Sequence, residues 1–198
     1  IAASFDPGWF APSASANVNS VGGANNIFSS NDFYATINNS GDSVDYITFG
    51  MSIPNGATIN GIEVAIEGYS EGIRNVNIQL SWNNGANYAP TTLTTTMPTT
   101  TAASEATVIL GGSANDWGRG WSASDFNNGN FLVHVTGTTG GGTTLYLDQL
   151  QVKVYYTANT APSGTDNTIT ISEDGSHTFA AGDFGFADPN AGDTMSAV

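Results

Sequence analysis

From Ile62 the chain alternates between apolar and polar positions: Ile62, Val64 and Ile66 share one side, Glu63 and Glu67 the other. A period of two marks a half-buried strand, because successive side chains point to opposite faces of a sheet. The surrounding run, residues 59–69, is the clearest strand in the sequence. Residues 76–82 repeat the period and end at Asn83-Asn84-Gly85, a hairpin-type turn. Residues 107–110, 131–135 and 145–156 supply further strands, bounded by Gly, Asn and Pro. Helical periodicity is nearly absent. Many short strands with glycine-rich corners predict an all-β chain, a β-sandwich of jelly-roll type over residues 1–157. The threonine-rich segment 91–101 reads as an exposed strand and loop on an edge, where its proline is tolerated.

Beyond the long last strand, residues 158–164 (ANTAPSG) read as a linker. Residues 165–198 change character, with two predicted strands at 168–171 and 177–180 followed by an acidic loop. A tract of about 35 residues is too short for a sandwich of its own, so this unit reads as incomplete.

Charge narrows the function. Three Lys and Arg residues face seventeen carboxylates, giving a formal net charge of −14. Such a chain cannot neutralise phosphates, which excludes nucleic acid as a partner, and anionic membrane surfaces repel it. No apolar stretch is long enough to insert in a bilayer as a helix. Hard cations, calcium above all, are the natural counter-ions for so many carboxylates. There is no cysteine, hence no disulfide or thiolate metal site. No signal-peptide pattern opens the chain, so it reads as the mature part, or an internal piece, of an exported protein.

Two resemblances attach to particular residues. The stretch SIPNGATINGIEV, residues 52–64, resembles the "IPxGATIxGIEV" core of a jelly-roll-like domain of phage and bacterial surface proteins. Residues 116–126, DWGRGWSASDF, are similar to that family's "LWGxxWTPADIN" segment, with Asp116 where an apolar residue is usual. This likeness covers about residues 5–157, implies the fold and lends no firm activity. From Asn159 the chain resembles the first third of a cadherin-like tandem repeat of large bacterial adhesins, which implies a partial cadherin/Ig-like β unit. In those repeats calcium stiffens the array at an "ED" pair and a "DxNxGD" loop. The matching positions are Glu173, Asp174, Asp188, Asn190 and Asp193.

The loop 188–193 suits calcium on its chemistry too, since alternating Asp and Asn around a glycine turn present several hard oxygens. The same residues are ordinary turn formers. Asp32 and the pair Asp42 and Asp45 could hold a second ion, although an Asx turn explains them more simply. Catalysis has little support. His134 lies opposite Val133 and Val135 on its strand, and His177 has no nucleophile motif around it. Glu63 and Glu67 stand about 13 Å apart by strand rise, too far for a glycosidase pair. Aromatic platforms for sugar stacking could come from Trp82, Tyr88, Trp117 and Trp121, or these could simply fill the core. The expectation is a non-enzymatic, extracellular structural or adhesive module of a secreted or bacterial cell-surface protein. It is calcium-stabilised and meets neighbouring copies or domains of the same surface protein, joining them by strand addition. The alternative is a carbohydrate-binding module whose partners are glycans.

Overall fold

The protein is described by a computed structural model covering residues 4–5, 8–138, 143–190 and 194–195. Among the described residues ten strands follow in order: β1 (Ser4–Phe5), β2 (Ala14–Asn19), β3 (Ala35–Ile37), β4 (Ser43–Ile47), β5 (Thr58–Ser70), β6 (Asn75–Ser81), β7 (Leu93–Thr96), β8 (Ala106–Gly112), β9 (Leu132–Thr138) and β10 (Leu145–Thr157). They form two sheets whose ladders are all antiparallel. One has the order β1-β10-β5-β8, with β3 also paired to β10; the other runs β2-β4-β9-β6-β7. The only helical elements among the described residues are short 3-10 turns. None of these is long or apolar enough to cross a membrane.

The alternation read from the sequence is what packs the two layers. Ile62, Val64 and Ile66 of β5, Val76, Ile78 and Leu80 of β6, and Val133 and Val135 of β9 are all buried in one core. Each of these strands covers its apolar face with the opposite sheet and leaves polar residues outside. The core extends to Trp117 and Trp121 at one end, so the aromatics supplement a modest stock of aliphatic residues. The threonine segment forms β7, paired only with β6, on the edge where the sequence placed it.

β10 departs from strict alternation. Leu145 and Leu147 face inward, and so do Leu150, Val152 and Val154, leaving Asp148 and Gln149 in a gap meant for one residue. The register against β5 slips between Leu147 and Gln149. Such a bulge bends the strand and re-aims its side chains.

After Thr157 the described residues form no strand. The predicted strands at 168–171 and 177–180 are a correction: both segments are exposed and neither finds a ladder partner. What order exists there is a 3-10 turn, Ala181–Phe184, and one antiparallel bridge between Ser163 and Ala187. β-branched residues favour extended backbone, but an extended segment becomes a strand only when another edge accepts its hydrogen bonds.

Candidate functional site: an acidic cluster beside three tyrosines

Three carboxylates from distant parts of the chain meet at the bulge. Asp32 precedes β3, Glu105 precedes β8 and Asp148 occupies the bulge itself, each with an oxygen within 4.8 Å of the others. Asp148 is wholly buried. Its Oδ2 accepts the backbone N–H of Asn31 at 2.9 Å, and Asn31 Oδ1 accepts the N–H of Phe33 at 3.0 Å. These bonds fold residues 31–33 over Asp148 and bring Asp32 back to it. Asp32 takes a left-handed conformation, φ 61°, which aspartate tolerates better than most residues.

The electrostatics of the cluster are unfavourable without a counter-ion. The Glu105 carboxyl is raised above its ordinary range by burial, then by the charges of Asp148, Glu67 and Asp32, with the nearby Tyr34 hydroxyl opposing the shift. The Tyr34 phenol is also pushed up, first by burial and then by Glu105 and Asp32. Like charges this close disfavour each other's ionised form. Glu105 Oε2 and Asp148 Oδ1 are buried and have no hydrogen-bond partner. Buried polar atoms are nearly always satisfied, so two such oxygens in one cluster call for a common partner. A hard cation fits: calcium takes about six to eight oxygens, and carboxylates in one- or two-oxygen mode supply part of that set.

The surroundings are open and aromatic. Asp32, Tyr34, Ala102, Ala103 and Glu105 line a depression of about 570 Å³. Tyr69 and Tyr146, opposite each other on β5 and β10, stack at 4.6 Å with their planes 8° apart. Tyr34 meets both edge-on, at 5.3 and 5.8 Å, and its hydroxyl donates to Asp32 Oδ1 at 3.3 Å. Tyr146 in turn donates to Glu71 at 3.2 Å.

Of the C-terminal set expected to bind calcium, the described members make other contacts. Glu173 and Asp174 are exposed in a turn closed by the Gly175 N–H on Ser172 O. Asp188 Oδ1 accepts the N–H of Asn190, an Asx turn, while Asn190 Oδ1 accepts the N–H of Thr160 at 2.8 Å. Asp193 lies outside the described residues. Asp42 caps its own turn by accepting from the Asn38 and Asn39 N–H groups. Among the described residues Asp32, Glu105 and Asp148 are the group of three with metal-ligand spacing. Of these, sequence reasoning had singled out Asp32 alone. The step from Leu145 and Leu147 to Leu150 was the available signal for Asp148, because broken alternation marks a bulge. Glu105 carried none.

The four aromatics proposed for sugar stacking separate into different roles. Trp117 is 0% exposed and its indole N–H donates to Ile62 O at 3.0 Å, so it belongs to the core and offers no platform. Trp121 is also buried and donates to Asp116 O. Trp82 is half-buried, and the Arg119 guanidinium lies 4.0 Å over its ring and 4.5 Å over that of Trp121. That cation, bonded to Asp125 at 3.1 Å, covers the face a sugar would use. Tyr88 is half-buried, with its ring 5.4 Å from His134.

His134 points away from the core, as alternation requires, between Asp45 Oδ1 at 2.6 Å and Thr136 Oγ1 at 2.9 Å. Asn17 donates to the other oxygen of Asp45. The network ties β2, β4 and β9 together and accounts for Asp45 as a structural residue. His177 bonds Asp183, whose carboxyl is lowered chiefly by the Ala180 N–H and then by His177.

No protein-family model matches the chain, and no curated protein matches it. Among solved structures it is similar to the CBM36-1 domain of a multidomain xylanase from the hindgut metagenome of Trinervitermes trinervoides. Identity is 13%, coverage is 74% of this chain and 94% of that one, and the TM-score is 0.39. It is also similar to the C-terminal CBM6 of LamC, a marine laminarinase from Zobellia galactanivorans. Here identity is 11%, coverage 73% and 96%, and the TM-score 0.40. The CBM32 of AlyQ, in complex with 4,5-unsaturated mannuronic acid, gives 14% identity, 73% and 97% coverage and a TM-score of 0.38. Likeness this distant transfers no site from those proteins to this chain.

Proposed function

We propose that this chain is a non-catalytic glycan-binding module of a secreted or bacterial cell-surface protein, and that it holds calcium at Asp32, Glu105 and Asp148. The observation that carries the reading is the convergence of these carboxylates around two buried oxygens with no partner. When bound, calcium supplies a hard positive centre that neutralises the carboxylates and accepts hydroxyl oxygens. The chain's own residues do the rest. The bulge presents Asp148, the Asn31 bonds hold the loop, and Tyr34, backed by Tyr69 and Tyr146, lines the depression with an apolar face and a polar tip, a composition suited to sugar rings.

Calorimetric titration of calcium chloride into chelator-treated protein tests the metal half of this reading. Saturable binding at millimolar concentration or tighter is expected, and no binding ends it. A glycan array probed with calcium and then with chelator tests the other half, with hits expected only where calcium is present.

A second reading keeps the chain as a structural or adhesive module, divided into a domain at 1–157, a linker at 158–164 and an incomplete repeat at 165–198. It is supported by the largely exposed residues 166–180, which join no ladder, together with their adhesin-like sequence. Assembly by strand addition would require those segments to become strands on meeting a neighbouring copy. Molar mass by light scattering decides it: calcium-dependent polymers are expected on that reading, a monomer under both conditions on the first.

A further inference from the structure

The stretch 158–164 has the composition of a linker, yet its backbone is tied to residues far along the chain. Thr160 donates its N–H to Asn190 Oδ1 at 2.8 Å, and Asn190 Nδ2 donates to Ala158 O at 3.5 Å. One side-chain amide thus meets an N–H and a carbonyl two residues apart, as a neighbouring strand would. Further along, Ser163 and Ala187 exchange both backbone bonds, at 2.8 and 2.9 Å, and Ser163 Oγ donates to Ala187 O at 3.2 Å. The Thr165 N–H then reaches Phe184 O at 3.0 Å. As one segment advances from 160 to 165 the other retreats from 190 to 184, so the two run antiparallel and in step.

The pair is held on its other sides as well. Asp188 Oδ1 accepts the Asn190 N–H at 2.7 Å, which fixes the backbone that carries the amide. Asn159 lies against the turn that leads into β5. There Gly56, at φ 76°, passes so close that a Cβ would stand 3.3 Å from the Asn159 Cβ. Pro162, Phe184, Phe186 and Met195 line one apolar depression along the same seam. Exposed hydrogen bonds are individually weak in water, but the first to form holds the others in register.

We propose that Asn190 is a latch that closes residues 184–190 onto 158–165 and makes the stretch after β10 a braced arm, with no metal required. Residues 165–184 are then a loop closed at its base, not a free tail. The part of the chain that resembles an adhesin repeat turns with the sandwich and does not swing on a linker. The oxygens of Asp188 and Asn190 that the resemblance assigns to calcium serve the latch. This goes beyond the glycan-binding reading and holds whichever ligand the sandwich takes.

The experiment is amide hydrogen exchange and backbone relaxation by NMR on the full chain, in chelator and then in millimolar calcium chloride. Wild type is compared with Asn190→Ala and Asn190→Asp. In chelator the wild-type amides of Thr160, Ser163 and Ala187 should exchange at least about fivefold more slowly than in an unstructured chain. Relaxation of residues 158–165 should match that of β10. Asn190→Ala should return Thr160 to the free-chain rate and speed Ser163 and Ala187 by about threefold or more. Phe10 and Val152, bonded to each other within the sandwich, should not change and so report an intact fold. Asn190→Asp keeps an oxygen for the Thr160 N–H and should keep its protection. Free-chain exchange at Thr160 in wild type, protection that appears only with calcium, or an Asn190→Ala variant indistinguishable from wild type each overturns the latch. Equal loss of protection in both variants overturns the role given to the Asn190 oxygen.

Discussion

Two acidic regions of this protein invite comparison, one visible in the sequence and one not. Residues 173–193 place Glu173, Asp174, Asp188, Asn190 and Asp193 close together along the chain, in the company of glycine and proline. The structure leaves Glu173 and Asp174 exposed in a turn, has Asp188 accept the Asn190 N–H, and has Asn190 accept the N–H of Thr160. Asp32, Glu105 and Asp148 are separated by 73 and 43 positions, yet their oxygens lie within 4.8 Å of one another. Density of carboxylates along a chain says little about density in space. Exposed acids are hydrated one by one, while acids brought together around a buried carboxylate are held near each other by the fold. This makes the second group a better candidate for a cation: the repulsion is already present, and a proton or a counter-ion relieves it.

The sharpest way to break this comparison is Asp148→Asn. It removes the buried charge and keeps an acceptor for the Asn31 N–H. Calcium affinity should fall at least about tenfold, while in chelator the Tm should rise by about 2–4 °C as like-charge repulsion is relieved. Opposite signs with and without metal are the signature of a cation site. Calorimetry with unchanged calcium affinity would dissolve the distinction between the two regions.

A smaller effect concerns protons. In the absence of calcium the Glu105 carboxyl holds its proton to higher pH in the folded protein than in the unfolded chain, chiefly through burial and then through Asp148. The folded state therefore binds more protons just above the ordinary glutamate value of 4.5, and stability falls as pH rises through that window. Urea melts in chelator between pH 4 and pH 7 should show this fall, reduced in Glu105→Gln. Protons and calcium compete for the same oxygen, so calcium affinity should also weaken on acidification. A flat affinity across that range would remove Glu105 from the set.

The smallest expected change is in the C-terminal region. The triple variant Glu173→Gln, Asp174→Asn, Asp188→Asn should alter calcium affinity by less than about twofold, by screened long-range charge alone. A tenfold loss in the same titration would return the ion to the loop that resembles an adhesin repeat.

Much of the fold was legible because its strongest strands are written in the alternation itself. β5, β6, β9 and β10 coincide with the runs read from apolar period, and the threonine segment reached the edge its composition suits. β2, β3 and β4 were not read. Ala14–Asn19 offers no large inward apolar series, and Ala35–Ile37 is three residues long; such strands are set by their neighbours rather than by their own pattern. The segments at 168–171 and 177–180 show the converse, strand-like sequence without a strand. The tryptophans were ambiguous for a related reason. An indole is equally at home in a core or at a binding surface, and only the covering of Trp117 and the guanidinium over Trp82 and Trp121 distinguish the two.

By itself the sequence determined a two-layer β protein and a strongly acidic chain, because the period of side chains along a strand and the sum of charges are local or additive properties. Tertiary structure alone decided which carboxylates share a space, which strand-like segments have partners and which aromatics remain exposed. Those outcomes depend on how chain-distant surfaces pair. The slip of register in β10 between Leu147 and Gln149, invisible to any sum over residues, leaves Asp148 where Asp32 and Glu105 meet it.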